Sequence, residues 1–182
     1  MAISEGYRRI KPPGCIERQQ FGGTASGPFG RGPADARGLH YVHGYLWPDR
    51  AQMVAASGME GHAGAETAGA VFTPMPWYES APSGQRLTQP KLGELHFMLG
   101  ECSVSYVAHE VAHVVQHYSR VLYVISRELN RAVTVSEGSH WQLAGEEWLH
   151  GEADEELAYL QGDLTREVYA WLWELNRRLA SA

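Results

Sequence analysis

Apolar side chains recur along this chain with two different periods, and the change from one to the other marks its elements. Leu95, Phe97 and Leu99 alternate with polar or longer neighbours, which predicts a half-buried strand over 92–99, ended by Gly100. The aromatic and apolar stretch Leu39–Trp47 reads as another strand, and Ala70–Thr73 as a short one stopped by Pro74 and Pro76. Helical spacing takes over at Val107, Val111, Val114, Val115, Tyr118 and Leu122, so a helix is expected from about Val104 to Val124 or beyond. Its β-branched residues lower intrinsic propensity, and tertiary burial has to hold it. Leu157, Leu160, Leu164, Val168, Trp171, Leu172 and Leu175 form the stripe of a second long helix over about 152–179, with a break expected near Gly162 and Asp163. Pro48-Asp49 starts a short helix over 50–57, and Gly58 ends it.

Between these elements the composition changes. Residues 1–38 hold Pro12-Pro13-Gly14, Gly22-Gly23, Gly27-Pro28, Gly30, Gly32-Pro33 and Gly38, a density of turn formers that predicts an irregular arm. Residues 58–69 and 131–150 read as loops, and 80–90 as a Pro/Gly/Ser/Gln linker. The expected architecture is an α+β single domain over 39–182, preceded by the arm.

Composition narrows the function classes. A chain of 182 residues can bury a core without disulfide staples. Its formal charge of −6 and pI near 5.8 argue against nucleic acid or an anionic membrane as partner, and basic residues cluster only as pairs such as Arg8-Arg9 and Arg177-Arg178. No run approaches the roughly 18 consecutive apolar residues of a spanning helix. The N-terminus lacks the apolar stretch of a secretory signal. Cys15 and Cys102 lie far apart, as suits a reducing compartment, so the expected location is cytoplasmic. Two cysteines cannot form a four-cysteine site, so any metal would be held mainly by His and carboxylate.

The motif that bears chemistry is His109-Glu110-Val111-Ala112-His113. Two His one helical turn apart can turn their ring nitrogens to one Zn²⁺, and the Glu can take a proton from water there. A catalytic zinc usually has three protein ligands. His117 lies about 12 Å along the axis from His109 and cannot share the ion. The acidic start of the second long helix is a better source. Glu155 heads a small-residue face with Ala158 and Gly162, which would admit a neighbouring helix. Glu156 is the alternative, with Glu152 and Asp154 behind it. The competing reading is that these carboxylates merely favour the positive end of a helix dipole. His96 falls on the strand face opposite Leu95 and Phe97, as a hydrogen-bonded or exposed side chain rather than a ligand.

HEVAH, followed about forty residues later by EELAYLQG, resembles the gluzincin metallopeptidases. The pattern is similar above all to small metallopeptidase-like proteins of bacteriophages and mobile elements. The resemblance spans roughly residues 92–175. It implies a minimal zincin-like domain, with a small sheet packed on the motif helix and a second, Glu-bearing helix. It also implies Zn²⁺ on His109, His113 and Glu155, Glu110 as general base, and hydrolysis of peptide bonds in an intracellular protein substrate. In such folds the strand before the motif helix offers an edge to an extended peptide, a role that would fall to 92–99. A His or Tyr stabilises the oxyanion in related enzymes, for which Tyr159, His140 and His150 are the candidates. No Gly-x-x-His follows the motif and no Met-turn is evident, which sets the chain apart from metzincins. Two other readings stand beside this one: a catalytically silent zincin-like protein that captures a host protein, or a structural protein with an accidental motif. The aromatic C-terminal helix could supply a homodimer face.

Overall fold

Residues 41–47 alternate Val42, Gly44 and Leu46 with His43, Tyr45 and Trp47, and a strand turns these two sets to opposite faces. The computed structural model describes residues 11–23, 29, 40–75, 78–80, 86–88, 90–137 and 153–181, with side chains placed except at 78–80, 86–88, 122–137 and 153–156. Along the chain run β1 (Glu17–Gly22), β2 (Tyr41–Trp47), α1 (Arg50–Ser57), β3 (Ala70–Pro74), β4 (Tyr78–Ser80), β5 (Arg86–Thr88), β6 (Lys91–Met98), α2 (Val104–Glu137) and α3 (Ala153–Ala180). The fold is α+β. Its main sheet has the order β1-β2-β6-β3, in which β2 and β6 are parallel and the outer pairs antiparallel; β4 and β5 form a separate hairpin.

One face of the sheet presents Val42, Leu46, Leu92, Leu95 and Phe97 to the helices. There it meets Val107, Val111, Val114, Val115, Tyr118 and Val121 of α2, and Leu160, Leu164, Val168, Leu172 and Leu175 of α3. Both helices are therefore held by the apolar stripe that the sequence shows. Each fully buried Val or Leu contributes about 1.5–3 kcal/mol of transfer free energy, which offsets the modest propensity of so many β-branched residues in α2. Trp171 packs edge-on to Phe21 with ring centroids 5.6 Å apart, while Trp173 points to solvent at 63% exposure. Two positions apart on a helix, they cannot share a face.

The opposite face carries a polar and aromatic network beside a second, smaller core of Cys15, Tyr45, Trp47, Met53 and Val71 beneath α1. A register shift between Tyr41 and Val42 pairs them with Lys91 and Gly93, leaving Leu92 as the extra residue of a bulge. The bulge sends Leu92 into the main core. It also lets Lys91 and Glu94, which regular alternation would separate, meet as an ion pair. Trp47 Nε1 donates to His96 Nδ1 at 3.1 Å, which leaves the ring's proton on Nε2, 3.5 Å from Glu94 Oε2. The Tyr45 hydroxyl donates to Glu94 Oε1 at 3.3 Å, and Arg18 approaches His43 Nε2 at 2.8 Å.

Several expected boundaries shift. Residues 17–22 of the arm form an edge strand on β2, because Phe21 can bury against Val42 and Trp171. The expected linker 80–90 contains β5, paired to β4. Helix α2 runs on through Glu137 into the segment expected to be a loop, and residues 138–152 lie outside the described ones. Helix α3 is unbroken at Gly162. Leu160 and Leu164 bury on either side of that glycine and outweigh its cost of about 1 kcal/mol. The short helix α1 fits expectation closely: Asp49 accepts from the Gln52 N–H at 2.9 Å, and Gly58 closes the helix at φ +73°. Among the described residues no helix is long and apolar enough to cross a membrane.

The network sets an acid limit on stability. Burial, then the charges of Arg18 and Lys91, lower His43 to about 4; hydrogen bonding from His96, then Lys91, holds Glu94 at about 2 against the effect of burial. Both groups take up protons more readily when the chain unfolds. Stability should therefore fall as the pH drops from about 6.5 to 4 through His43, and further from about 4.5 to 2 through Glu94. Denaturant melts across this range should show the decline, and His43→Gln should flatten its upper part. An equal slope in that variant would remove His43 from the explanation.

Candidate metal centre

On α2 the residues drawn to the sheet leave His109, His113, Gln116 and Arg120 exposed, at successive spacings of four, three and four residues along the outer face. The two His rings converge. Their Nε2 atoms stand 3.2 Å apart, with the ring planes at 89°. A tetrahedral ion bound about 2.0–2.1 Å from each of two nitrogens holds them about 3.3 Å apart. That separation is also the length of a hydrogen bond between the two rings; it is compatible with one shared metal ion, and with the His109 side chain 66% exposed the pair is open to solvent.

Glu110, one residue round the helix, lies at the junction with the sheet and is only 7% exposed. Its Oε2 accepts the Phe72 N–H at 2.6 Å, and its Oε1 lies 4.0 Å from His109 Nε2. The strand edge explains why that N–H is free to bond sideways. Register pairs Val71 with His96 and Thr73 with Glu94, while the Met75 N–H goes to the Leu92 carbonyl and the Met98 N–H to Gly69. The odd-numbered residues therefore turn their backbone groups to β6, and Ala70, Phe72 and Pro74 turn theirs outward. Phe72 reaches this position over Gly93, where a Cβ would lie 2.5 Å from its ring and 2.5 Å from the Thr73 carbonyl. The expectation that strand 92–99 offers the edge is corrected by this order. β6 is paired on both sides; the edges of the sheet are β1 and β3, and it is β3 that lies beside the motif helix.

Between β3 and α2 runs a groove of about 540 Å³. Met59, Ala68, Phe72 and Pro74 line one side, and Glu110, His113, Gln116, His117 and Arg120 the other. The His117 ring sits 6.0 Å from that of Phe72. Its burial lowers its affinity for a proton, hydrogen bonding to the Met75 backbone acts the other way, and the Arg120 charge lowers it further. His117 is thus a wall of the groove beyond the pair, in keeping with the axial distance that separates it from His109.

Glu155 and Glu156 fall in the first turn of α3, and their side chains lie outside the described residues, as do His140 and His150. Among the described residues no third His, Cys, Asp or Glu completes a set of three with the His pair. Tyr159 is on α3, 56% exposed, and is not among the residues lining the groove. His96 is buried and hydrogen-bonded to Trp47, in line with its expected non-ligand role. Arg120 lies outside the motif that drew attention to this helix, although its spacing from His113 and Gln116 continues the exposed stripe. The Phe72 N–H carries no side-chain signature and could be found only from the strand register.

The bond between Glu110 and Phe72 can be tested on its own. Glu110→Ala would leave a buried N–H without an acceptor and should cost about 1–3 kcal/mol. Glu110→Gln retains an amide oxygen for that N–H and should cost distinctly less. Urea melts of both variants decide it: no loss in Glu110→Ala would mean that the tie contributes nothing to stability, and equal losses in both would mean that a neutral amide oxygen does not replace the carboxylate as acceptor.

No protein family, curated protein or solved structure matches this chain.

Proposed function

We propose that the chain is a zinc-dependent peptidase on a minimal zincin-like domain, acting on an extended segment of a protein substrate. The observation that carries this reading is the 3.2 Å convergence of the His109 and His113 Nε2 atoms beside a groove with a strand edge for its far wall. His109 and His113 would hold the ion, with Glu155 as the proposed third ligand and Glu156 as its alternative. A zinc ion bound there would supply Lewis acidity towards a substrate carbonyl and acidify water at the site.

The chain's own groups account for the rest. Tied through Oε2 to the Phe72 N–H, the Glu110 carboxylate cannot rotate freely, and its Oε1 is kept on the side of the His pair. Oε1 is thereby positioned to accept a proton from water and return it to the leaving amine. The burial of Glu110 limits its exchange with bulk solvent. Met59, Ala68 and Phe72 give the groove an apolar wall that a substrate would dehydrate on binding.

The same tie favours one second reading. A carboxylate engaged by the backbone is also what a silent scaffold would keep, using the groove for capture rather than cleavage. Glu110→Gln separates the two, because it retains both His and the acceptor for Phe72 but removes the base. With zinc content unchanged, peptidase activity should drop by about 10²- to 10⁴-fold. Capture of a protein target at full strength by both forms, with no cleavage by either, would move the function to binding.

A further inference from the structure

Three features of the groove bear on what it accepts. First, its strand wall is poor in backbone donors. The Phe72 N–H is already taken by Glu110 and Pro74 has none, so among the outward groups of β3 the Ala70 N–H is left with the carbonyls. A peptide added to this edge finds acceptors but few donors, and main-chain pairing alone would hold it weakly. Second, β3 and α2 run in the same sense: Phe72 meets Glu110, and Met75 meets His117 further along. The end of the groove beyond Pro74 therefore lies against the α2 turn that bears Arg120. Third, Arg120 is exposed, lines the groove, and forms no ion pair with another described residue. Among the described residues lining the groove the one carboxylate is Glu110, and it is bound to Phe72.

We infer that Arg120 is a specificity determinant that selects an acidic side chain of the peptide, about three residues from the bond placed at the His pair. This inference rests on the peptidase reading of the groove. Arg120 is seven residues beyond His113, or about 10.5 Å along the helix. An extended peptide covers that length in about three residues at roughly 3.3 Å each. A guanidinium offers a planar fork of donors that matches a carboxylate, and it supplies the recognition that the donor-poor edge does not. A peptide antiparallel to β3 would put the acidic residue on the N-terminal side of the scissile bond. The partner is thus an extended chain with an acidic residue at that position, which the Arg120 guanidinium complements.

The test measures binding separately from cleavage. Amidated peptides of about eight residues, built of Ala, Val and Thr, carry a single Glu or a single Lys walked through each position. Their affinity is measured by fluorescence anisotropy on zinc-loaded Glu110→Gln protein, with and without Arg120→Ala or Arg120→Glu. The Glu peptide should bind about tenfold more tightly than the Lys peptide at one register, the size of a single charge-assisted contact. Arg120→Ala should abolish that preference and Arg120→Glu should reverse it. Equal binding of Glu and Lys peptides at every register, or a preference that survives Arg120→Ala, would overturn the inference. The zinc content of the parent protein and its cleavage of the same peptides are measured alongside. Acidic preference without zinc would leave the subsite standing and remove the peptidase, whereas zinc and cleavage without preference would do the opposite.

Discussion

The 2.6 Å hydrogen bond from the Phe72 N–H to Glu110 Oε2 joins the two parts of the molecule on which the proposed site depends, the motif helix and the β3 edge of the sheet. A carboxylate that is only 7% exposed needs a donor, and an edge-strand N–H turned away from its sheet needs an acceptor. Each meets the requirement of the other. The bond ties α2 to β3 at the groove, on top of the apolar packing that seats the helix on the sheet. It leaves the second carboxylate oxygen on the side of the His pair. Without it the apolar packing of α2 on the sheet would still hold the groove walls, but the Glu110 carboxylate would lose its backbone donor.

Support for that bond extends inward. Phe72 lies across β6 only because Gly93 carries no side chain, and the β6 bulge that follows Lys91 turns Leu92 into the core beneath. α2 is held flat on the sheet by Val107, Val111, Val114 and Tyr118, which turns His109, His113 and Arg120 outward. The far face of the sheet is specified by different means. There the Trp47–His96 and Tyr45–Glu94 hydrogen bonds flank a 3.5 Å contact between His96 Nε2 and Glu94 Oε2, with the ring centroids of Tyr45 and His96 5.3 Å apart. The two faces thus divide the work: one positions the candidate site, and the other fixes strand register through buried polar groups that tolerate few alternatives.

Much of this was legible in the sequence because it follows from periodicity. The stripes of α2 and α3, the strand alternation of β2 and β6, and the capping of α1 by Asp49 and Gly58 are local patterns, and the structure follows them. The His pair was legible for the same reason, since a spacing of four on a helix brings two side chains together. What could not be read was non-local. Phe21 gives no sign in its Gly-rich surroundings that 17–22 will pair with β2. Strand order puts β6 inside the sheet and β3 at its edge, and nothing in the alternation of 92–99 distinguishes the two places. The role of Phe72 is carried by its backbone N–H, which every residue but proline possesses. Gly162 misled because its weak helix propensity is a local cost, and the burial of Leu160 and Leu164 against the sheet and α2 outweighs it.

If the converging nitrogens of His109 and His113 form part of a metal site, the purified protein carries metal in stoichiometric amount. About one zinc per chain is expected in the wild type, lost in His109→Ala and in His113→Ala while both variants stay folded, and lost or weakened in Glu155→Ala if that carboxylate completes the set. Wild-type protein that takes up no zinc when it is supplied, or that keeps its zinc after His113→Ala, would contradict it.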